Sequence, residues 1–457
     1  MAEMRILAPT AILGYGYPLA SLERGLAADP HLIGVDGGST DAGPFYLGEG
    51  VSFTSRAAVK RDLAPLLAAG RERRIPVVVG TAGGAGGEPH LEWCLSIVEE
   101  IARERGWTLR VALVHAEQPK ERVLRALREG RTAPLGAAPE LDEATVAATS
   151  RIVGQMGVEP IQKALELEPD LVLAGRACDV SIFAALPLMH GYDPGLTMHA
   201  AKIVECGAYC AEPGGASDAI LAILRDDHFE VRPLSPGRRC TRLSVAAHSL
   251  YEQAHPSEIV EPSGVVDCAT ASFEELPDGA VRVRGTSFRP AAAPTIKLEG
   301  AVPVGHRAVS IAGVRDPTAI NSLDGSIAAA RELIAATLGE GHTLHVHVYG
   351  RDAVMGVREP TPKVAGHEVG LVIEAVAVDA ETAAAVCALA RSTLLHHHYP
   401  GRVTTGGSLA FPFSPSDVVW GRVYEFGVYH LWRVEDPAAP FPVELRTVGA
   451  ASPVPAG

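Results

Sequence analysis

The chain has 457 residues, of which 47% are apolar and 21% are charged, and its formal net charge is −14. Its length exceeds what one hydrophobic core usually supports, so two domains are expected, and its composition excludes a disordered chain. The acidic balance, without a basic stripe, argues against a nucleic-acid partner.

The N-terminus and the cysteines bear on the compartment. The opening residues MAEMRILAP lack the basic flank and long apolar core of a secretory signal. No apolar run reaches the roughly 20 residues that a membrane span requires. The seven cysteines are odd in number and scattered, as is usual for reduced thiols in the cytosol. We therefore expect a cytoplasmic protein that does not enter membranes.

Residues 1–213 alternate short apolar runs with helical patterns, which is typical of βαβ units. The predicted strands are 5–13, 32–35, 75–79, 109–114 and 171–174. The predicted helices are 55–73, 90–105, 120–128 and 142–167. Several of these strands are almost purely Val, Ile and Leu, as expected when helices cover both faces of a parallel sheet.

Residues 214–450 have a different pattern, in which strands are joined by hairpin turns. Asp278 and Gly279 supply one such turn, and 240–249 is predicted as a further strand. Later helices are predicted at 322–338 and 380–397, beside strands at 342–350 and 368–378. The fold class is therefore α/β, with an N-terminal parallel sheet followed by an α+β C-terminal domain and a frayed tail at 451–457.

Polar or glycine-rich segments follow all five predicted strands of the N-terminal sheet. They are GYGYP, DGGSTDAGP, GTAGGAGGEPH, HAEQP and GRACD. Ligands of open parallel sheets bind beyond the carboxyl ends of the strands. The sequence therefore predicts a pocket at this edge.

Asp36 and Asp41 flank two glycines in the second of these segments, which places two carboxylates beside a backbone that a ligand can approach closely. A general acid/base role and a metal-binding role are both open. The structural alternative is a tight turn in which the aspartates accept hydrogen bonds from local N–H groups.

Gly83, Gly84, Gly86 and Gly87 precede a predicted helix, whose free N–H groups favour an anion. The segment matches neither the dinucleotide fingerprint nor the P-loop, so no NAD, FAD or ATP motif is present and the cofactor is left unknown. A carboxylate or phosphate, for example of a CoA thioester, is the predicted ligand. The alternative is a flexible turn.

Arg176 and Asp179 follow the fifth strand. Arg176 can bind a substrate carboxylate bidentately, or the two residues can form an internal pair in which Asp179 caps a helix beginning near Val180. Cys178 lies between them, but no local His supports it as a nucleophile. Glu205, three residues after Lys202, either faces the pocket or lies on a solvated helix face.

The cysteine and histidine candidates for a metal site are weak. Cys206 and Cys210 have no second cluster, and His345 and His347 share a strand face without a third ligand. Adjacent histidines in HHHYPGR point in different directions on a helix. No metal site is therefore predicted.

Several long stretches together resemble the AtuA (acyclic terpene utilisation) family. They lie between residues 35 and 417 and read VDGGSTDAGP, AGRACDVSIFAALPLMHGYDP, HAAKIVECGAYCAEPGG, VMGVREP and HHHYPGRVTTGGSLAFPFSPSD. The resemblance implies a role in the catabolism of acyclic terpenes such as citronellol and geraniol, or of related branched acids. It does not supply a reaction. Longer members carry a small extra C-terminal domain, so a separate small partner protein is expected.

The expected function is that of a catabolic enzyme acting on a carboxylic acid or acyl-CoA, of the lyase or hydratase class rather than a hydrolase, since no G-x-S-x-G motif is present. Asp36 or Asp41 is predicted as the base, with Asp179 in the same catalytic group. Arg176 is the predicted carboxylate clamp, and the glycines with Glu205 form the substrate-binding set. The alternative is a non-catalytic acyl-binding or scaffolding subunit. A homo-oligomer is expected.

Overall fold

The computed structural model describes residues 3–361 and 366–449, so the predicted tail at 451–457 lies outside the described residues. In chain order the helices are α1 (Leu19–Ala27), α2 (Pro44–Glu49), α3 (Arg56–Arg73), α4 (Glu88–Arg105), α5 (Lys120–Arg128), α6 (Glu143–Ala148), α7 (Val158–Leu165), α8 (Asp179–Met189), α9 (Pro194–Val204), α10 (Arg242–Ser249), α11 (Pro317–Asn321), α12 (Leu323–Leu338) and α13 (Ala380–His396).

The strands are β1 (Met4–Ala8), β2 (Leu32–Asp36), β3 (Val77–Gly80), β4 (Thr108–Val114), β5 (Thr132–Pro134), β6 (Arg151–Gln155), β7 (Leu171–Ala174), β8 (Ala211–Glu212), β9 (Ile220–Leu224), β10 (Phe229–Pro233), β11 (Arg239–Cys240), β12 (Glu258–Glu261), β13 (Gly264–Asp267), β14 (Ser272–Glu275), β15 (Val281–Arg284), β16 (Ser287–Pro290), β17 (Thr295–Val314), β18 (His342–Tyr349), β19 (Val369–Ala377), β20 (Asp417–Arg433) and β21 (Val443–Gly449).

A ten-stranded sheet forms the centre of the first compact unit, in the order β14-β15-β10-β9-β1-β2-β3-β7-β4-β21. Its five middle strands, β1, β2, β3, β7 and β4, are parallel. Antiparallel strands continue the sheet on both sides, β9 beside β1 and β21 beside β4. The predicted α/β class and the predicted parallel sheet are confirmed.

Helices cover both faces of this sheet because successive strand residues point to opposite sides. Ile6 and Leu32 belong to one buried cluster with α7, α8 and α9, whereas Leu7 and Ile33 belong to another with α1, α3 and α4. All four side chains are fully buried. A strand buried on both faces has no polar alternation, which explains the continuous apolar runs in the sequence.

The chain divides into two compact units: the described parts of Met1–Val302 with Phe426–Gly457, and Pro303–Glu425. In the second unit, β18, β19 and the last part of β17 pair antiparallel, and a buried cluster includes residues of α11, α12 and α13. The division into domains at residue 213 stays a prediction. It concerns parts that fold independently, and the compactness of the two units does not test independent folding.

Three predicted elements are wrong in type or length. The helix predicted at 142–167 is α6, β6 and α7, because residues 151–155 pair with β17 instead of continuing the helix. The strand predicted at 240–249 is α10 after a two-residue strand, and Thr241 caps that helix by accepting a hydrogen bond from the Ser244 N–H. The first strand ends at Ala8 and not at Leu13.

The hairpin predicted at Asp278 and Gly279 is confirmed, since β14 and β15 pair antiparallel around it. Within the part of the chain that the structure describes, no helix combines the length and apolar character needed to cross a bilayer.

Candidate functional site

A cavity of about 340 Å³ lies in the first unit beyond the carboxyl ends of β1, β2 and β7. Among the residues that the structure describes, five carboxyl groups line it: Asp36, Asp41, Asp179, Glu205 and Glu252. The remaining lining includes Ser39, Cys206, His248, three tyrosines and a few small or apolar residues. The structure therefore brings four sequence-predicted acidic residues to one site and adds Glu252, which the sequence did not single out.

The fold positions each predicted carboxyl in a different way. Asp36 is the last residue of β2, and Asp41 lies in a short turn where its backbone N–H donates to the Ser39 hydroxyl. Asp179 is the first residue of α8, directly after the β7 loop. Glu205 caps the C-terminal end of α9. The sheet edge thus collects side chains from separate βα units, as the strand-end rule predicts.

Asp36 is buried, with 5% of its surface exposed, and its Oδ1 atom has no hydrogen-bond partner among the described residues. Burial raises the pKa of Asp36 well above its ordinary value, and the nearby Asp179 carboxyl raises it further. The backbone N–H of Gly38 and the Arg176 guanidinium act in the opposite direction. Asp36 is thus a carboxyl that holds a proton more tightly than a solvated one.

Glu205 is also buried, at 4% exposure, and within the described part of the chain its Oε2 atom lacks a hydrogen-bond partner. Its other oxygen accepts from the Lys202 ammonium at 2.5 Å. Burial raises the pKa of Glu205 to about 8 in spite of Lys202, and the Asp179 and Glu261 carboxyls contribute in the same direction. Lys202 is itself buried, so the expectation of a solvated helix face is wrong for this pair.

Glu261, at the end of β12, is a further buried carboxyl, and its charge acts on Glu205 although it does not line the cavity. Burial raises the pKa of Glu261 to about 7, and its carboxylate accepts from the Cys178 thiol at 3.0 Å. Burial and the Glu261 charge raise the pKa of Cys178 well above its usual value. A thiol held in its protonated form is a poor nucleophile, which agrees with the lack of a local His beside Cys178 in the sequence.

Arg176 lies outside the cavity lining and is buried in an ion pair that the sequence did not reveal. Its Nε atom donates to Oε2 of Glu299 at 2.7 Å, and its Nη1 atom donates to the Ala177 carbonyl at 3.1 Å. Asp179, the partner expected from the sequence, is 4.0 Å away. A role for Arg176 as a substrate clamp stays a prediction, and its observed contacts are structural.

Glu299 connects this ion pair to two neighbouring elements. Its Oε1 atom accepts from the Thr40 hydroxyl and from the Lys297 ammonium, both at 2.8 Å. Burial would raise the pKa of Glu299, but Arg176 and Lys297 outweigh that effect and hold it at about 2. The carboxylate therefore stays ionised and links β17 to the loops after β2 and β7.

The four predicted glycines are buried and do not line the cavity. A Cβ at Gly86 would collide with the backbone nitrogen of Arg176, and one at Gly83 would lie 2.5 Å from the His90 carbonyl oxygen. At the start of α4, the Glu88 N–H already donates to the Glu117 carboxylate at 2.9 Å. Close backbone packing accounts for these glycines, and their anion-binding role stays a prediction.

Two further side chains have structural positions near the cavity residues. Cys178, and not Asp179, is the N-cap residue of α8, and it makes no capping hydrogen bond. His199 is a satisfied core residue whose ring nitrogens contact Thr286 and Ser249 at 2.9 and 2.8 Å. Within residues 3–361 and 366–449, no group of three or more His, Cys, Asp or Glu side chains is arranged to hold a metal ion.

Aromatic side chains form part of the cavity wall. The rings of Tyr209, His248 and Tyr251 are nearly parallel, with centroid separations of 6.4 and 5.5 Å. Burial lowers the pKa of His248 to about 4, so this ring is neutral at physiological pH. No single-residue motif marks these rings: Tyr209 lies in the loop between α9 and β8, His248 in the last turn of α10, and Tyr251 just after α10.

The carboxyl groups and the nearby cations together determine which side chains of the site are protonated. We use the term carboxyl cluster for Asp36, Asp179, Glu205 and Glu261, whose pKa values are all raised. The cations of Lys202 and Arg176 oppose this rise, and Arg176 is already paired with the ionised Glu299. Glu205 and Glu261, with pKa values of about 8 and about 7, therefore retain protons near neutral pH, so protonated and ionised carboxyls coexist in the carboxyl cluster.

The first expected result concerns the pH dependence of stability. The native state binds a proton at Glu205 up to about pH 8, whereas the unfolded chain loses it near the ordinary glutamate pKa of 4.5. The stabilisation from this proton is full below pH 4.5 and is lost as the pH rises toward 8. Glu205→Gln should therefore become progressively more stable relative to wild type across this window, measured by urea unfolding at several pH values.

The matched control is Glu140→Gln, because Glu140 is exposed and lies outside the cavity lining. Its curve should run parallel to that of wild type. Loss of the contact with Lys202 shifts the Glu205→Gln curve by a constant amount and leaves the difference in slope intact. Parallel curves for all three proteins would contradict the raised pKa of Glu205.

Comparison with known proteins identifies the family. The family model described as acyclic terpene utilisation family protein AtuA matches residues 56–414. No curated protein and no solved structure matches the chain. The matched region includes Asp179 and Glu205, whereas Asp36 and Asp41 precede it. The resemblance found in the sequence motifs is confirmed, and the chain belongs to the AtuA family, which suggests a role in acyclic terpene utilisation.

Proposed function

We propose that the protein is a catabolic enzyme of acyclic terpene or branched-acid degradation that acts on a carboxylic acid or acyl-CoA as a lyase or hydratase. The observation that carries this proposal is the pair of buried, unpartnered carboxyl oxygens in one cavity, on Asp36 and on Glu205. Addition or removal of water, and carbon–carbon cleavage beside a carbonyl, both need one group that takes a proton and one that gives it.

The two carboxyls suit different parts of this chemistry. In Asp36, the Gly38 N–H and the Arg176 charge favour the ionised form, while burial makes the resulting carboxylate a stronger proton acceptor. Glu205, with its pKa at about 8, is mainly protonated at neutral pH and can donate. We assign Asp36 as the proton acceptor and Glu205 as the proton donor. The Asp179 carboxyl raises the pKa of both residues.

The experiment starts from the metabolite that accumulates when the gene is deleted in cells grown on an acyclic terpene. The purified protein is incubated with that compound, as free acid and as CoA thioester, in deuterated water. The expected result is a product that differs by water or by a cleaved fragment, or deuterium incorporated at the carbon beside the carbonyl, measured by mass spectrometry.

A folded protein that binds the accumulating compound but neither converts it nor exchanges its protons would contradict the proposal. That outcome favours the non-catalytic acyl-binding subunit. The assay should be repeated with cell extract from the deletion strain, because an activity that returns only with extract indicates that a partner protein is required.

A further inference from the structure

The charges that surround the cavity restrict the kind of group that enters it. Five of the described residues that line the cavity are Asp or Glu, and none of them is Lys or Arg. A free carboxylate placed there would meet no cation in the lining, and each ionised lining carboxyl would repel it, including Asp36 in its proposed role as proton acceptor. Like-charge contacts in a partly buried site are costly, because the surrounding protein screens them less than water does.

The nearest cations are already engaged by protein carboxylates. The Lys202 ammonium donates to Glu205 and lies 3.9 Å from Glu252, with the ring of Tyr251 5.6 Å away. Arg176 is paired with Glu299. Neither residue belongs to the cavity lining. An anionic substrate group would have to compete for these cations with the carboxyl groups of Glu205 and Glu299, which the fold already holds in contact with them.

The unpartnered atoms show which groups the cavity can satisfy. Asp36 Oδ1 and Glu205 Oε2 are buried oxygens without donors, on side chains that are at least nine-tenths buried. An unmade hydrogen bond at a buried polar atom costs free energy. A ligand hydroxyl that donates to one of these oxygens, or a ligand carbonyl that accepts from a protonated carboxyl, is therefore favoured at these positions. Tyr15, Tyr209 and Tyr251 supply apolar ring surface to the same cavity.

We infer that the part of the ligand that enters this cavity is an uncharged oxygen group on an apolar chain, such as an alcohol or a thioester carbonyl, and not a free carboxylate. The inference rests on the proposed function and narrows its substrate class from acid or acyl-CoA to the neutral form. The phosphates of a CoA ester remain outside the acidic lining, and a substrate acid has to be activated as a thioester by an earlier reaction.

The test compares four probes on one acyclic isoprenoid skeleton by calorimetric titration at about pH 7.5, where geranate is ionised. Geraniol and the N-acetylcysteamine thioester of geranic acid are neutral, geranate is an anion and geranylamine is a cation. Both neutral probes should bind at least about tenfold more tightly than geranate. Tighter binding of geranate or of geranylamine than of both neutral probes would overturn the inference.

A charge-neutralising variant isolates the electrostatic cause. Glu252 lines the cavity, but its side chain is about half exposed, so Glu252→Gln does not create a core defect. It should improve geranate binding severalfold and leave geraniol binding unchanged. Glu140→Gln, which removes the same charge at an exposed position outside the cavity, should change neither affinity.

These measurements separate the inference from the proposed function. Binding that follows the neutral preference without any turnover leaves the inference standing and removes the lyase or hydratase proposal. Turnover of a free carboxylate that also binds more tightly than its neutral analogues removes the inference and leaves the lyase or hydratase proposal standing. If Glu252→Gln leaves the affinity for geranate unchanged, the lining carboxyls do not set the preference and the inference fails.

Discussion

Replacing Arg176 with alanine is expected to lower the free energy of unfolding by about 3–5 kcal/mol, because the change leaves a buried carboxylate without its main partner. Arg176 and Glu299 have 3% and 1% of their side-chain surfaces exposed. Lys297 and Thr40 still contact Glu299 in the variant, so the loss should lie toward the lower end of this range. Urea unfolding at neutral pH measures it.

The matched control is Arg128→Ala. Arg128 makes two hydrogen bonds of 2.8 Å to the Glu143 carboxylate, but both side chains are more than half exposed. An exposed pair contributes about 1 kcal/mol or less, so this variant should remain close to wild type. Both substitutions remove one arginine from a close carboxylate pair, and they differ mainly in burial.

The alternative for Arg176 predicts a different combination of results. If Arg176→Ala unfolds like the Arg128→Ala control but loses all turnover, the clamp interpretation from the sequence is supported. A double variant, Arg176→Met with Glu299→Gln, adds a second readout. It should recover part of the stability lost in Arg176→Ala, because no buried charge then lacks a partner. Failure to recover would argue against the ion pair as the cause.

The clustering of three aspartates at the cavity was predictable from the sequence for a physical reason. Asp36, Asp41 and Asp179 follow buried parallel strands, and the carboxyl ends of neighbouring parallel strands necessarily share one edge of a sheet. Local patterns therefore place these residues together without any knowledge of the remaining chain. Glu205 was less certain, because a Lys–Glu pair on a helix is equally typical of a solvated face.

The sequence missed Glu299 because its role depends on a contact across more than a hundred residues. Lys297 and Glu299 alternate with Ile296 and Leu298, a pattern typical of a strand with one face in solvent. In the structure Glu299 is fully buried, since Arg176 and Thr40 cover that face. Two charged residues at alternate positions of an otherwise apolar strand were the available signal.

The short strand β6 was missed for a related reason. Residues 142–167 consist largely of helix-forming residues, and the β-type segment RIVGQ within them is only five residues long. Its pairing with Lys297–Ala301 of β17 decides its conformation. Strand preference reflects packing against neighbours, which a local pattern does not contain.

Asp36→Asn is expected to reduce turnover of the substrate by about 10²-fold to 10⁴-fold, the usual contribution of a positioned proton-transfer group. The amide keeps the shape of the carboxyl and still accepts from the Gly38 N–H, but it no longer takes up a proton. Thermal stability at neutral pH should be unchanged or slightly higher, because burial raises the pKa of Asp36 and thereby disfavours its charged form.

The control for this experiment is Cys178→Ala, a change in a neighbouring side chain that removes a protonated thiol. Cys178 contacts Glu261 and not the cavity, so the variant should retain a substantial part of the activity. Turnover and thermal midpoint are measured on both variants with the same substrate. If Asp36→Asn is fully active and Cys178→Ala is inactive, covalent catalysis by the thiol replaces the acid/base proposal. If Asp36→Asn loses activity only in proportion to its folded fraction, Asp36 is structural, and proton acceptance would have to be assigned to another member of the carboxyl cluster.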